Sequence, residues 1–168
     1  MSSSYNWTEW CVLLKDAPLP AMVVDLAALR SNIRSVVQTI ESETIALRLF
    51  APDLPCPAIL RQVMLDGAPH IHGLACRSAQ EALLLADLGF DDLLVVQPIS
   101  NPNDAATLAR LSARGARVLT LVDHPAHLEL LSRAAATEDT TLPVCIDVDI
   151  RAPFGSPVRT HRPRSSVR

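Results

Sequence analysis

Apolar residues recur along this chain in short runs, each followed by a stretch of helical character, with a near-constant period. The runs are "TIALRLF" (44–50), "HIHGLAC" (70–76), "DLLVVQP" (92–98), "RVLTLVD" (117–123) and "PVCIDVD" (143–149). Their starts lie 26, 22, 25 and 26 residues apart. Strand-length apolar runs of this kind predict buried strands, and the gaps predict helices over 57–66, 79–88, 102–114 and 125–136. Upstream, "AMVVD" (21–25) predicts one more short strand. The segment "LAALRSNIRSVVQTI" then carries Leu26, Leu29, Ile33, Val36, Val37 and Ile40 at helical spacing, with Asp25 as N-cap.

Local signals agree with these boundaries. Pro57 follows Cys56 at a first helical position. Ser78 and Glu81 have capping-box spacing. Pro125 sits in the first turn of "HPAHLELL", and Gly89 and Gly115 fall where helix C-caps belong. A regular βα repeat with near-continuous apolar strands predicts an α/β fold with a parallel sheet. None of the five glycines forms a phosphate-binding loop, which favours a (β/α) TIM-type barrel over a nucleotide-binding doubly wound sheet. Five barrel strands plus the preceding short strand are fewer than the eight of a closed barrel, so the expected fold is incomplete. The organisation predicted is an N-terminal segment over 1–20, a partial barrel over 21–150, and an Arg/Pro/Ser-rich disordered tail over 151–168.

Composition narrows the possible functions. The chain is 49% hydrophobic and only 4% aromatic, so its core is aliphatic. Residues 1–150 hold all 18 acids and ten of the 15 bases, a balance of 10 − 18 = −8; residues 151–168 carry the other five bases. An acidic body argues against nucleic-acid binding. Four scattered cysteines, with no CxxC or Cys/His cluster, argue against a zinc site or disulfide framework and predict a reducing, cytoplasmic setting. No secretory leader is visible, and no uncharged apolar run approaches membrane-spanning length. Of the 15 bases, 14 are arginines and one is a lysine, Lys15.

The series "PAMVVDLAALRSNI", "CPAILRQVM", "GLACRSAQEALLLADLGFDDLLVVQP", "VLTLVDHPAHLELL" and "VCIDVDI" resembles the alanine racemase N-terminal domain, the fold type III pyridoxal-phosphate barrel. Within that family it is most similar to D-serine deaminase and D-threonine aldolase-like enzymes. The resemblance covers about residues 18–150. It implies a D-amino-acid lyase ancestry and pyridoxal phosphate as cofactor. It also implies that the final three strands and a C-terminal β domain have no counterpart in this sequence.

In such relatives the turn after the first barrel strand reads like "ATKSVRCP", and its lysine forms the Schiff base. Alignment on Cys56-Pro57 puts Pro52 at the lysine position and Asp53 at the following serine. An internal aldimine needs a primary amine, which proline and arginine cannot supply. The resemblance further implies cofactor-side roles for Arg77, Gln97, Asp149 and Arg151. Gln97 stands where many relatives carry tyrosine. Arg151 follows Asp149 by two positions, where the family arginine falls about four beyond. Ser78 and Glu81 match the family as scaffold.

Strand C-terminal ends place Asp53, Arg77, Gln97, Asp123, His124, Asp149 and Arg151 near one rim, the catalytic face of such barrels. Asp53 and Asp123 are weak acid/base candidates there. For Asp123 the expected role is a helix N-cap; for Asp53 capping and a lone rim carboxylate balance. Asp147 and Asp149 share one face of the last strand, either as a metal or proton site or as a wet edge. His70 and His72 share a strand face, but at its start, where a structural role is expected. His127 is expected on the surface, and Cys56 packed near a helix start. Arg159, Arg162 and Arg164 read as a solvated basic tail.

The function expected is therefore that of a family barrel inactive alone, because Pro52 replaces the lysine, with no metal. The alternatives are a non-catalytic module binding a vitamin B6 species or amino acid, and an interaction protein pairing through its open sheet edge with a second copy or another chain.

Overall fold

The computed structural model describes residues 6–40 and 45–148. Five strands form one sheet in the order β1-β2-β3-β4-β5, with β1 Leu47–Phe50, β2 Ile71–Cys76, β3 Asp92–Val95, β4 Arg117–Val122 and β5 Val144–Ile146. Neighbours from β2 to β5 pair in parallel: Leu74 opposes Leu93, Leu93 opposes Val118, and Thr120 opposes Val144. Helices alternate with them: α1 Trp7–Leu13, α2 Leu26–Ile40, α3 Pro57–Gly67, α4 Ala79–Asp87, α5 Pro102–Ala113 and α6 Pro125–Thr137. The α/β incomplete-barrel expectation holds in its essentials.

By internal contacts the chain divides into two compact units. The first takes in residues up to Leu47 together with Cys56–His72. In it, α2 packs on α3, and Asp66 receives both Arg30 Nε (3.2 Å) and Gln62 Nε2 (2.6 Å). Asp25 caps α2 as its sequence predicts, accepting from the N–H groups of Ala27 and Ala28 at 2.8 and 3.0 Å.

The second unit comprises Arg48–Pro55 and the chain from Gly73 onward. Its core lies between one sheet face and α4, α5 and α6. Leu74, Cys76, Leu93, Val95, Val118 and Thr120 are wholly buried on one side of the sheet, and Ala105, Leu108 and Ala109 of α5 are equally buried. Period-2 alternation along β3 and β4 produces this division, with Leu94, Leu119 and Leu121 on the opposite, part-exposed face. Burial at about 25 cal/mol per Å² of apolar area makes this layer the main source of stability.

Three differences from the sequence reading have physical causes. Residues 21–25 form no strand: none of the five strands pairs with them, and Met22, Val23 and Val24 are exposed. Apolar content without a ladder partner does not make a strand. Conversely, "WTEWCVL" forms α1, started by a reciprocal box in which Glu9 N–H donates to Asn6 Oδ1 and Asn6 N–H to Glu9 Oε2. The strands are also shorter than their apolar runs, since Gln97, Pro98 and Asp123 follow the last paired residues. The tail from 151 lies outside the described residues. Among those described, no helix is long and apolar enough to cross a membrane.

Candidate functional site

The C-terminal ends of β1 to β5 bring the chain's polar turn residues to one rim of the second unit. After β1, Phe50 leads into a single 3-10 turn, Ala51–Asp53, closed by Leu54 N–H donating to Ala51 O at 3.0 Å. Pro52 occupies the start of that turn, where its fixed φ and missing N–H are tolerated. It is half-buried, whereas Asp53 projects into solvent. Asp53 does not cap α3. That N-cap is Cys56, which makes no side-chain cap bond and is exposed rather than packed. The short 3-10 turn ends at Asp53 and leaves two residues before Cys56, so the carboxylate is too early in the chain to reach the α3 donors.

Asp53 instead faces Arg77, the first residue after β2, with Oδ1 4.0 Å from Nη2. Arg77 Nη1 lies 3.9 Å from Glu81 Oε1, and its guanidinium sits 5.1 Å from the centre of the Phe50 ring. Its backbone N–H donates to Glu81 Oε2 at 2.7 Å. Ser78 Oγ accepts from Glu81 N–H at 3.2 Å and so caps α4 as predicted. Glu81, however, returns its bond to Arg77 rather than to Ser78 itself. The spacing of Ser78 and Glu81 identifies the cap, but the acid holds Arg77 N–H instead of closing the box.

A second group lies after β4. His127 Nδ1 and Asp123 Oδ1 are 3.0 Å apart, on side chains only 6% and 13% exposed. The two atoms are in charge-contact range without a well-aligned hydrogen bond. The N-cap of α6 is His124, whose Nδ1 accepts from Ala126 N–H at 3.1 Å. Asp123 is thus not the cap, and His127 is not on the surface. The chain reaches the helix one residue later than the acid, and the i,i+4 spacing brings His127 back over it. The rings of His124 and His127 meet edge to face at 6.0 Å.

Gln97 and Asp147 are exposed at the ends of β3 and β5. Neither hydrogen bond nor ion pair joins the Arg77 group to the Asp123 group among the described residues. Asp149 and Arg151 lie outside the described residues. No group of three or more His, Cys, Asp and Glu side chains is arranged to hold a metal among the described residues. His70 and His72 belong to the other end of β2, where His70 O accepts from Leu47 N–H at 2.8 Å.

That opposite end of the second unit holds a charged cluster that sequence reading missed. Arg48 Nη2 meets Asp92 Oδ1 at 2.7 Å, and Arg117 Nη1 lies 3.4 Å from Asp92 Oδ2. The Arg48 side chain crosses over Gly73, whose φ of +74° and missing Cβ make room for it. Among the reactive groups, Cys76 is inert: burial pushes its thiol up to about 12, the nearby Glu81 charge adds to this, and the backbone of Ser78 offsets part of it.

Comparison with known proteins agrees with this architecture. The family described as alanine racemase, N-terminal domain, matches residues 24–152. A D-threonine aldolase of Arthrobacter sp is 32% identical over 132 residues, which cover 78% of this chain and 34% of that protein. A 3-hydroxy-D-aspartate aldolase of Paracoccus denitrificans is 29% identical over 134 residues, 79% of this chain and 34% of its own length. The crystal structure of D-threonine aldolase from Filomicrobium marinum superposes with a TM-score of 0.71 at 29% identity, covering 80% of this chain and 36% of that one. D-threo-3-hydroxyaspartate dehydratase from Delftia sp. HT23 shares the fold at a TM-score of 0.63 and 21% identity, covering 79% of this chain and 34% of that one. The chain spans about a third of the length of the curated relatives it matches. The chain belongs to the alanine racemase N-terminal domain family, the fold type III pyridoxal-phosphate barrels.

Proposed function

We propose that this chain carries the scaffold of a pyridoxal-phosphate D-amino-acid aldolase or dehydratase without its aldimine chemistry, and that it does not catalyse such a reaction alone. The observation carrying this reading is Pro52 in the 3-10 turn after β1, the position that alignment on Cys56-Pro57 matches to the family lysine. Proline's nitrogen is already in a peptide bond. The sequence offers no lysine other than Lys15, which belongs to the first unit. A Schiff base requires a primary amine, so the residues of this rim do not fit a lysine-linked cofactor. The four cysteines, all free, suit a reducing compartment, and the proposed setting is the cytoplasm.

The test is a spectral titration of the purified chain with pyridoxal phosphate. The spectrum is expected to be that of free aldehyde at every ratio. A saturable band characteristic of a protonated aldimine, formed at stoichiometric cofactor, would overturn the proposal.

A second reading is favoured by one observation. On β5, Ile146 is 72% exposed although it has the same sheet parity as the buried Val122, and Val148 is 65% exposed. Among the described residues β5 is an edge strand with an exposed apolar side, and such an edge is an association surface. In this reading the chain acts by pairing through β5 with a second copy or another chain. Size-exclusion with light scattering tests pairing between copies: Ile146→Lys is expected to shift an associating chain to monomer, and a monomeric wild type would exclude a second copy as the partner.

A further inference from the structure

We propose that β5 is the seam of a two-fold dimer, pairing antiparallel with β5 of a second copy about an axis that passes beside Ile146. The proposal rests on the reading that the chain associates through β5, and it adds the partner, the strand direction and the register.

The backbone shows which groups face the open edge. Asp147 N–H donates to Val122 O at 2.9 Å, and Pro143 O accepts from Thr120 N–H at 3.4 Å. The odd-numbered residues of this stretch therefore turn their peptide groups toward β4. With a period of two, Val144, Ile146 and Val148 present theirs to the other side, where no strand pairs with them among the described residues. The side chains of the same three residues share one sheet face, and those of Ile146 and Val148 are exposed.

A two-fold interface sets one patch against itself, so the patch has to match its own reverse. The stretch "VCIDV" (144–148) does so about Ile146, with valine two residues to either side. Antiparallel pairing centred there opposes Ile146 to Ile146 of the second copy, and Val144 to Val148 of the second copy. In this register every outward peptide group meets another, and each opposed pair exchanges both of its N–H···O bonds. Asp147 faces Cys145 of the second copy, which keeps the two carboxylates apart. Centring on Asp147 sets like charges directly opposite each other, which is destabilising. Centring on Cys145 opposes Val148 to Leu142, which lies ahead of the strand. Three opposed residues bury less than the roughly 800 Å² per partner of a stable interface, so the dimer forms only as concentration rises.

The experiment is size-exclusion with light scattering on the full chain over a concentration series, followed by cross-linking. The wild type is expected to climb toward twice the monomer mass and stop there. The Ile146 N–H faces away from β4, so Ile146→Pro removes an edge donor alone; that variant is expected to stay folded by circular dichroism and monomeric throughout. Single cysteines are then placed at Val144, Ile146 or Val148, with Cys11, Cys56 and Cys145 changed to serine, and treated with a short bifunctional thiol reagent. Opposed central residues stand about 5.5 Å apart at Cα, whereas residues two places off the centre stand about 14 Å from their own counterparts. Ile146→Cys is therefore expected to link into a dimer at least tenfold faster than Val144→Cys or Val148→Cys. A monomeric wild type, or growth past two copies, overturns the proposal. Association that Ile146→Pro leaves intact overturns both the proposal and the β5 reading. Loss of association in Ile146→Pro, with linking at 144 or 148 as fast as at 146, leaves the β5 reading standing and overturns the register. Should proline unfold the chain, the three linking rates decide by themselves.

Discussion

His127 Nδ1 lies 3.0 Å from Asp123 Oδ1, and the two side chains are nearly withdrawn from solvent. This contact ties the first turn of α6 to the end of β4. Removing one side chain takes from the other its nearest polar neighbour in a buried site, at a cost of about 1–3 kcal/mol. Asp123→Ala is therefore expected to lower stability in urea by that amount. Adding His127→Leu to it is expected to recover most of the loss, because no orphaned polar atom then remains. Equal stability of the single and double variants would show that the contact contributes nothing.

Gly73 and Arg48 form a second such pair. An alanine at 73 takes a left-handed conformation that costs about 1–3 kcal/mol, and its methyl also meets the Arg48 guanidinium. Gly73→Ala is expected to destabilise by more than the backbone cost alone. In an Arg48→Ala background the clash with the guanidinium vanishes and only the tight approach to Asp92 O at 3.0 Å remains, so a double-mutant cycle is expected to give a favourable coupling. Strict additivity would contradict the close approach.

Cys76 makes stability depend on alkaline pH. Burial pushes its thiol from the ordinary 9.0 up to about 12. A raised folded value means that the contribution is fully present below pH 9 and is lost as pH climbs toward 12. The unfolded chain releases the proton first in that window. Stability is expected to fall by up to about 1.4 kcal/mol per pH unit there, and Cys76→Ala is expected to flatten that part of the profile. Thiol labelling at pH 8 is expected to reach exposed Cys11 and Cys56 quickly and Cys76 only on unfolding.

How far the sequence speaks for this molecule follows from which interactions are local. Helix starts at Pro57, Pro102 and Pro125, the Asp25 and Ser78 caps, and the alternation along β3 and β4 are set within a few residues, and all of them were legible. The capping-box spacing of Asn6 and Glu9 was present too, but α1 buries no residue, so no apolar stripe drew attention to it. The Asp123–His127 contact depends on where α6 begins, and a shift of one residue between Asp123 and His124 exchanges a cap for a buried pair. The Arg77–Asp53 approach and the Arg48–Asp92–Arg117 cluster join different strands, and only the fold brings them together. Pro52 was the opposite case, since what matters there is a functional group absent from the residue itself.

The central claim, that this rim holds no amine able to capture the cofactor, is tested most directly by borohydride reduction after incubation with equimolar pyridoxal phosphate, followed by peptide mapping. The account predicts no pyridoxyl peptide from residues 45–148, and labelling of Lys15 and the chain's α-amino group no faster than that of a free lysine peptide. A rapid, stoichiometric adduct at a single position, protected by a D-amino acid, would contradict it.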